Sequence, residues 1–226
     1  MQLLIFAVPI LVAITFHEAA HGFVAHWLGD DTAKKLGRVT LNPLKHIDFF
    51  GTIVVPAMLL LARAPFLFGY AKPVPVNFRG LNSPRRDMVL VAAAGPATNL
   101  ILALVSAILL KITTVIVGPI GPPSMGVEIL AKALIFSIRI NLILAVFNML
   151  PLPPLDGGRV AVGLLPNFLA IPLAKLENYG MFILLGLIFL VPFAAGQLGY
   201  DINPFATIIL PPVEVLMRII TEITGL

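Results

Sequence analysis

Met88–Leu110 reads MVLVAAAGPATNLILALVSAILL and carries no charge. At about 1.5 Å per residue a helix of this length reaches about 34 Å, enough to cross the roughly 30 Å hydrocarbon layer of a bilayer. Met1–Gly29, with Glu18 as its single charge, and Asn178–Tyr200, with none, are of the same kind. Of the 226 residues 59% are apolar and 12% are charged, about half the charged share of a soluble domain. This excludes a soluble globule, a disordered chain and an electrostatic nucleic-acid binder, although Lys and Arg exceed Asp and Glu by 15 to 11. In such a chain the basic excess reports topology. The sequence predicts an all-α polytopic membrane protein.

Two segments need more argument. Ile140–Leu155 joins a short apolar run to PLPPL. Eleven helical residues and five extended ones reach about 32 Å, which predicts a crossing with Arg139 snorkelling at its start. Phe49–Ala62 contains Pro56 and reaches only about 21 Å before Arg63, so it reads as re-entrant. On that reading Lys34, Lys35, Arg38, Lys45, Arg63, Lys72, Arg79, Arg85, Arg86, Arg159 and Lys175 share one side of the membrane. Lys111, Lys132, Arg139 and Arg218 take the other, a strong bias that places the first group in the cytoplasm. The stretch after Pro211-Pro212, VEVLMRIITEITG, is amphipathic and fits either a surface helix or a last crossing. The expected total is about five to six transmembrane helices. Arg38–Leu41 and Val74–Phe78 are rich in β-branched residues and proline, which predicts a small membrane-associated β element.

Chemistry enters at His17-Glu18-Ala19-Ala20-His21. Residues i and i+4 share a helix face, so both imidazoles can bind one zinc ion while Glu18 serves as base. The plain alternative is a polar pair binding across helices. Two histidines and a carboxylate inside a bilayer are costly, however, and point to function. With no cysteine in the chain, a third ligand must be Asp, Glu or His. His26, His46, Glu128, Glu177, Asp201 and Asp156 are candidates. Asp156 ends NMLPLPPLDGG, where the prolines break a helix near a polar group, as membranes tolerate only around a protein-lined cavity. Its plain reading is an N-cap for the following GGRVAVGLL. The histidines and Asp156 can meet only if their two crossings run parallel, which requires an odd number of crossings between them. Re-entrance of Phe49–Ala62 leaves one, Met88–Leu110.

HEAAH and NMLPLPPLDGG, with Gly95-Pro96-Ala97-Thr98-Asn99 between them, resemble the site-2 protease family of intramembrane zinc metalloproteases. Gly69–Asn77 (GYAKPVPVN) and Asn82–Asp87 (NSPRRD) resemble its compact subgroup, and the likeness covers about residues 10–165. The resemblance implies one Zn2+ per chain held by His17, His21 and Asp156, with Glu18 as catalytic base. It implies that Asn148 sits beside the metal as an oxyanion or substrate-backbone donor. Asn99 matches a family motif position and is taken as substrate-binding, its plain reading being helix packing. Residues 1–226 then form a single membrane metalloprotease domain, with a core of about 1–165 and C-terminal helices over 166–226. Lys111–Arg139 is too short for a PDZ domain, and no regulatory domain is expected after Leu226.

The expected reaction is hydrolysis of a peptide bond in or near a transmembrane segment of a membrane-protein substrate, such as a membrane-tethered regulator. A helical substrate must unwind first. Val74, Val76 and Asn77 are expected to offer it a strand edge. The expected setting is the cell membrane, with the active site toward the cytoplasm and the lipid bilayer as surroundings; no nucleic acid is expected. A metal-ion transporter would repeat ligands along a path, and a catalytically dead scaffold would have lost a ligand or the base. The sequence shows neither.

Overall fold

The computed structural model describes residues 2–61, 69–117 and 123–226. Among the described residues five helices are long and apolar enough to span a membrane: Ile5–Trp27, Pro84–Val117, Met125–Asn148, Glu177–Gln197 and Pro204–Thr224. In chain order the α-helices are α1 (Gln2–Trp27), α2 (Thr32–Lys35), α3 (Val55–Leu61), α4 (Pro84–Val117), α5 (Met125–Asn148), α6 (Asp156–Leu164), α7 (Asn167–Lys175), α8 (Glu177–Leu185), α9 (Val191–Gln197) and α10 (Pro204–Thr224). A π-helical turn, Gly186–Leu190, joins α8 to α9 into one span. The amphipathic C-terminal stretch belongs to α10, a spanning helix by length and composition.

Within lipid there is little hydrophobic drive between helices, so close packing needs small residues. The contact faces supply them: Ala13, Ala19 and Ala25 on α1, and Ala92, Gly95, Ala103, Ser106 and Ala107 on α4, are all buried. Further along, Leu134, Ile138 and Leu142 of α5 meet Ala103, Ala107 and Leu110 of α4 and Ile209, Val213 and Ile220 of α10. The start of α4 is fixed by its first helical hydrogen bond and by the Asp87 carboxylate reaching back to Ser83. Asp87 N–H donates to Ser83 O at 2.8 Å, and Asp87 Oδ2 accepts from Ser83 N–H at 2.7 Å.

The crossing expected over Ile140–Leu155 is displaced. Its helix begins at Met125 and ends at Asn148, and the prolines lie beyond it in the loop to Asp156. Arg139 is therefore inside a spanning helix and not at its start. The order of spans still makes α1 and α5 parallel, with α4 antiparallel between them.

Phe49–Leu61 forms a π-helical turn, Phe49–Val54, followed by α3. Asp48 caps it by accepting from Gly51 N–H at 2.7 Å. The end at Ala62 and the interrupting Arg63 lie outside the described residues. The chain nevertheless returns to its starting level: Tyr70 N–H donates to Gly51 O at 3.0 Å, and Thr52 Oγ1 donates to Tyr70 O at 2.9 Å. A side chain at Gly51 would lie 2.4 Å from the Tyr70 ring, so glycine is needed for this closure. A segment whose two ends are hydrogen-bonded makes no net crossing, as re-entrance requires.

No strand forms among the described residues, which corrects the expected β element. Val74–Asn77 is extended and Phe78 opens a 3-10 turn, but two N–H groups of the extended stretch, and the Lys72 carbonyl just before it, are taken by side chains. Val74 N–H donates to Glu18 Oε2 at 2.7 Å, Asn77 N–H to Asp30 Oδ2 at 2.7 Å, and Arg38 Nη2 to Lys72 O at 2.7 Å. Pro73 and Pro75 have no N–H to give. The result is a strap clamped over the end of α1.

Candidate metal centre

His17 and His21 stand one turn apart on the buried face of α1, and Asp156 is the first residue of α6. Two glycines deliver Asp156. A Cβ at Gly157 would lie 2.2 Å from Met149 O, and one at Gly158 would lie 2.2 Å from Pro153 N. Only glycine lets the proline loop fold back this tightly over the start of α6. Asp156 does not cap that helix with its side chain; its carboxylate points to the imidazoles instead.

The three candidate ligand atoms converge. His17 Nε2 and His21 Nε2 are 3.1 Å apart, and Asp156 Oδ2 is 3.2 Å from the first and 3.4 Å from the second. The hydrogen-bond network fixes the protons. His21 Nδ1 is 2.7 Å from Val91 O, and His17 Nδ1 is 2.6 Å from Asn99 Oδ1. Asn99 is oriented by its amide, which donates to Asn141 Oδ1 at 2.8 Å and Ala13 O at 3.3 Å. Asn141 in turn donates to Ser137 O at 2.9 Å. Both imidazoles thus meet acceptors at Nδ1, carry their protons there, and present lone pairs at Nε2.

Two lone pairs and a carboxylate oxygen therefore face one another inside the protein, and Asp156 Oδ2 is buried without a hydrogen-bond partner. That arrangement is repulsive unless a cation sits between the three. His17, His21 and Asp156 are the metal-competent group of three found among the described residues, so the other sequence candidates are not assembled into such a site. Two imidazole nitrogens and one carboxylate oxygen match the donor set of catalytic zinc, which keeps one position open. Gly95 is part of the fit: a Cβ there would lie 2.5 Å from His21 Nε2 and 2.7 Å from His17 Nε2. The backbone of α4 can pass the ligands only because this residue has no side chain.

The remaining predicted residues fall at different distances from this group. Glu18 is half-buried beside it on α1, its Oε2 held by Val74 N–H. Asn99 is completely buried between His17 and Asn141, a position behind the ligand with no exposed atom for a substrate. Asn148 donates from Nδ2 to Leu144 O of its own helix at 3.0 Å. The edge groups expected to be free on Val74 and Asn77 are engaged, by Glu18 and Asp30. Val76 N–H and the carbonyls of Val74 and Val76 have no partner among the described residues.

Sequence reading missed Asn141, whose signal was present as an amide within the apolar run of α5. It also missed the clamp residues Arg38 and Asp30, both buried. Burial raises the Asp30 carboxyl, but the hydroxyl and N–H of Thr32, the N–H of Asn77 and the nearby Lys35 outweigh this and hold it below the ordinary carboxylate range.

The chain is similar to known proteins over most of its length. The family model described as Peptidase family M50 matches residues 5–127 and 115–191. Two relatives are named as putative zinc metalloproteases. YwhC of Bacillus subtilis is 42% identical over 198 residues, covering 87% of this chain and 84% of its own. Rip2 of Mycobacterium tuberculosis is 31% identical over 147 residues, covering 65% of this chain and 52% of its own. No solved structure matches the chain.

Proposed function

The chain belongs to peptidase family M50, the site-2 proteases, and is an intramembrane zinc metalloprotease; from that premise we propose the substrate class, the residue roles and the orientation. The substrates are membrane proteins cleaved in or near a transmembrane segment, such as membrane-tethered regulators. His17, His21 and Asp156 hold the zinc ion. When bound, zinc lowers the pKa of water toward about 7 and polarises the scissile carbonyl. Glu18 takes a proton from the attacking water and passes it to the leaving amine. The observation carrying this reading is the convergence of three buried ligand atoms beside a carboxylate one residue from the first of them.

Other groups set the geometry. Asn99, held by Asn141, fixes the His17 ring and its tautomer, as ligand-orienting partners of metal sites do. This replaces substrate contact as its role. Val74 N–H holds one oxygen of Glu18 and leaves the other for proton transfer. Asn148 supplies an oxyanion or backbone donor once it releases Leu144 O. Substrate pairs with Val76 N–H and the Val74 and Val76 carbonyls, a narrower edge than the sequence suggested. The enzyme sits in the cell membrane with the strap and metal toward the cytoplasm, where the basic loops place that end.

The test is to reconstitute the zinc-loaded protein with single-span peptides and identify products by mass. Cleavage within or beside the span is expected. Cleavage confined to soluble peptides would refute the substrate class.

A further inference from the structure

We propose that a groove between α1 and α5 receives α10 of a second copy of this chain. The groove has a volume of about 380 Å³ and is lined by Ile5 and Phe6 of α1 and by Lys132, Ile135, Phe136 and Arg139 of α5. Arg139 is exposed, inside a spanning helix, and makes no ion pair among the described residues. An unpaired cation at that depth is costly and calls for an anionic partner.

A complementary stripe lies on α10. Its buried face carries Ile209, Val213 and Ile220, packed on α4 and α5. The opposite face carries Glu214, Arg218 and Glu222, four residues apart, all exposed and without ion pairs among the described residues. A charged stripe facing acyl chains is as costly as Arg139 alone.

The two surfaces match in depth. Asn99 of α4 touches Asn141 of α5, which sets a common level. At about 1.5 Å per residue, Arg139 lies about 3 Å from that level toward the Lys111 end, and Lys132 about 13 Å. Lys111 Nζ donates to Gly225 O, which ties the end of α10 to the same scale at about 18 Å. Glu222 then falls at about 13 Å and Glu214 at about 2 Å. The contact of Phe147 with Phe205, ring centroids 5.8 Å apart, agrees with this register at the other end.

Copies in one membrane are related by rotation about its normal, which preserves depth. They can therefore pair only groups of equal depth, and Glu214 meets Arg139, while Glu222 falls level with Lys132, whose Nζ already pairs with Glu128 of its own helix. Lipid phosphate does not fit as well, because Arg139 lies near the middle of the span. It is about 14 residues from the start of α5 and about nine from its end, or roughly 21 and 14 Å.

The native chain has no cysteine, so pairing can be read directly. Ile135→Cys and Arg218→Cys lie at nearly the same level, at about 9 and 8 Å on this scale, and leave the Arg139–Glu214 pair intact. Membranes containing both single variants should give a disulfide-linked dimer under mild oxidation, and membranes containing either alone should not. Arg139→Glu and Glu214→Arg should each abolish that dimer, and the double exchange Arg139→Glu/Glu214→Arg should restore it. Absence of the mixed cross-link, or its survival in both single reversals, would overturn the proposal. So would a monomer that retains anionic phospholipid and loses it in Arg139→Gln, which would assign the groove to lipid.

Discussion

The main-chain N–H of Val74 donates to Glu18 Oε2 at 2.7 Å, so the strap across the end of α1 grips this carboxylate. Pro73 and Pro75 make Val74 the sole donor in this tripeptide, and its side chain packs against the Gly22 position, where a Cβ would lie 3.2 Å from Val74 Cγ1. A carboxylate with one oxygen fixed keeps one rotamer and one free oxygen, which suits a proton carrier.

Glu18→Gln should abolish cleavage, by at least the 10²–10⁴-fold typical of losing a general base, while zinc stays bound. Metal analysis and peptide turnover on the same sample check both halves. Substantial turnover in this variant would remove Glu18 as the base.

Asp156→Asn should reduce both zinc content and turnover, because the amide oxygen is neutral where the cation needs charge. The outer positions should show a graded effect. Asn99→Ala and Asn141→Leu should lower zinc affinity about 10–100-fold, as loss of a ligand-orienting partner does elsewhere. Competition with a chelator measures this, and unchanged affinity in both variants would make the amide chain mere packing.

Gly95→Ala places a methyl group 2.5 Å from His21 Nε2. Either the imidazole turns away or α4 moves, and each should weaken zinc binding at least as much as Asn141→Leu. Normal zinc stoichiometry and affinity in Gly95→Ala would mean that the ligands have room to spare.

The parts legible in the sequence were those whose physics is local. Long apolar runs with at most one charge gave three of the spans, and the costly HEAAH motif in an apolar helix marked the metal. Re-entrance of Phe49–Ala62 followed from length and charge side, and the Gly51–Tyr70 hydrogen bond supports it. What failed depended on tertiary partners. Val74–Phe78 has the composition of a strand, yet Glu18 and Asp30 took two of its N–H groups and Arg38 the carbonyls just before it, so no strand ladder formed. Asn141 looked like one more residue of a span until Asn99 met it from α4. The prolines after Asn148 suggested an extended end to a crossing, but α5 reaches its length by starting at Met125.

The clamp of the strap gives a pH prediction. Asp30 has a folded pKa below its ordinary value, so its contribution to holding Asn77 is fully present above that value, near 3.9. It is lost as the pH falls through the lower, folded pKa. Asp30→Asn should therefore destabilise the protein near neutral pH, and the difference from the native chain should shrink in acid. Thermal unfolding in detergent at several pH values reads this directly. A difference that grows on acidification would have the wrong sign for a depressed carboxylate.

Prolines substituted at two neighbouring positions of the strap should separate its two jobs. Val74→Pro removes the donor to Glu18, so it should lower turnover of every peptide, including short soluble ones that need no unwinding. Val76→Pro removes an N–H that has no partner among the described residues, which leaves Glu18 held as before. It should cut turnover of transmembrane substrates severely and spare short unstructured peptides, because only the former rely on main-chain capture. Zinc content should be normal in both, since neither residue supplies a ligand atom. The decisive measurement is the ratio of transmembrane to short-peptide turnover in each variant. A folded Val76→Pro enzyme with the native ratio would eliminate this edge as the docking site and leave the strap with its grip on Glu18 alone.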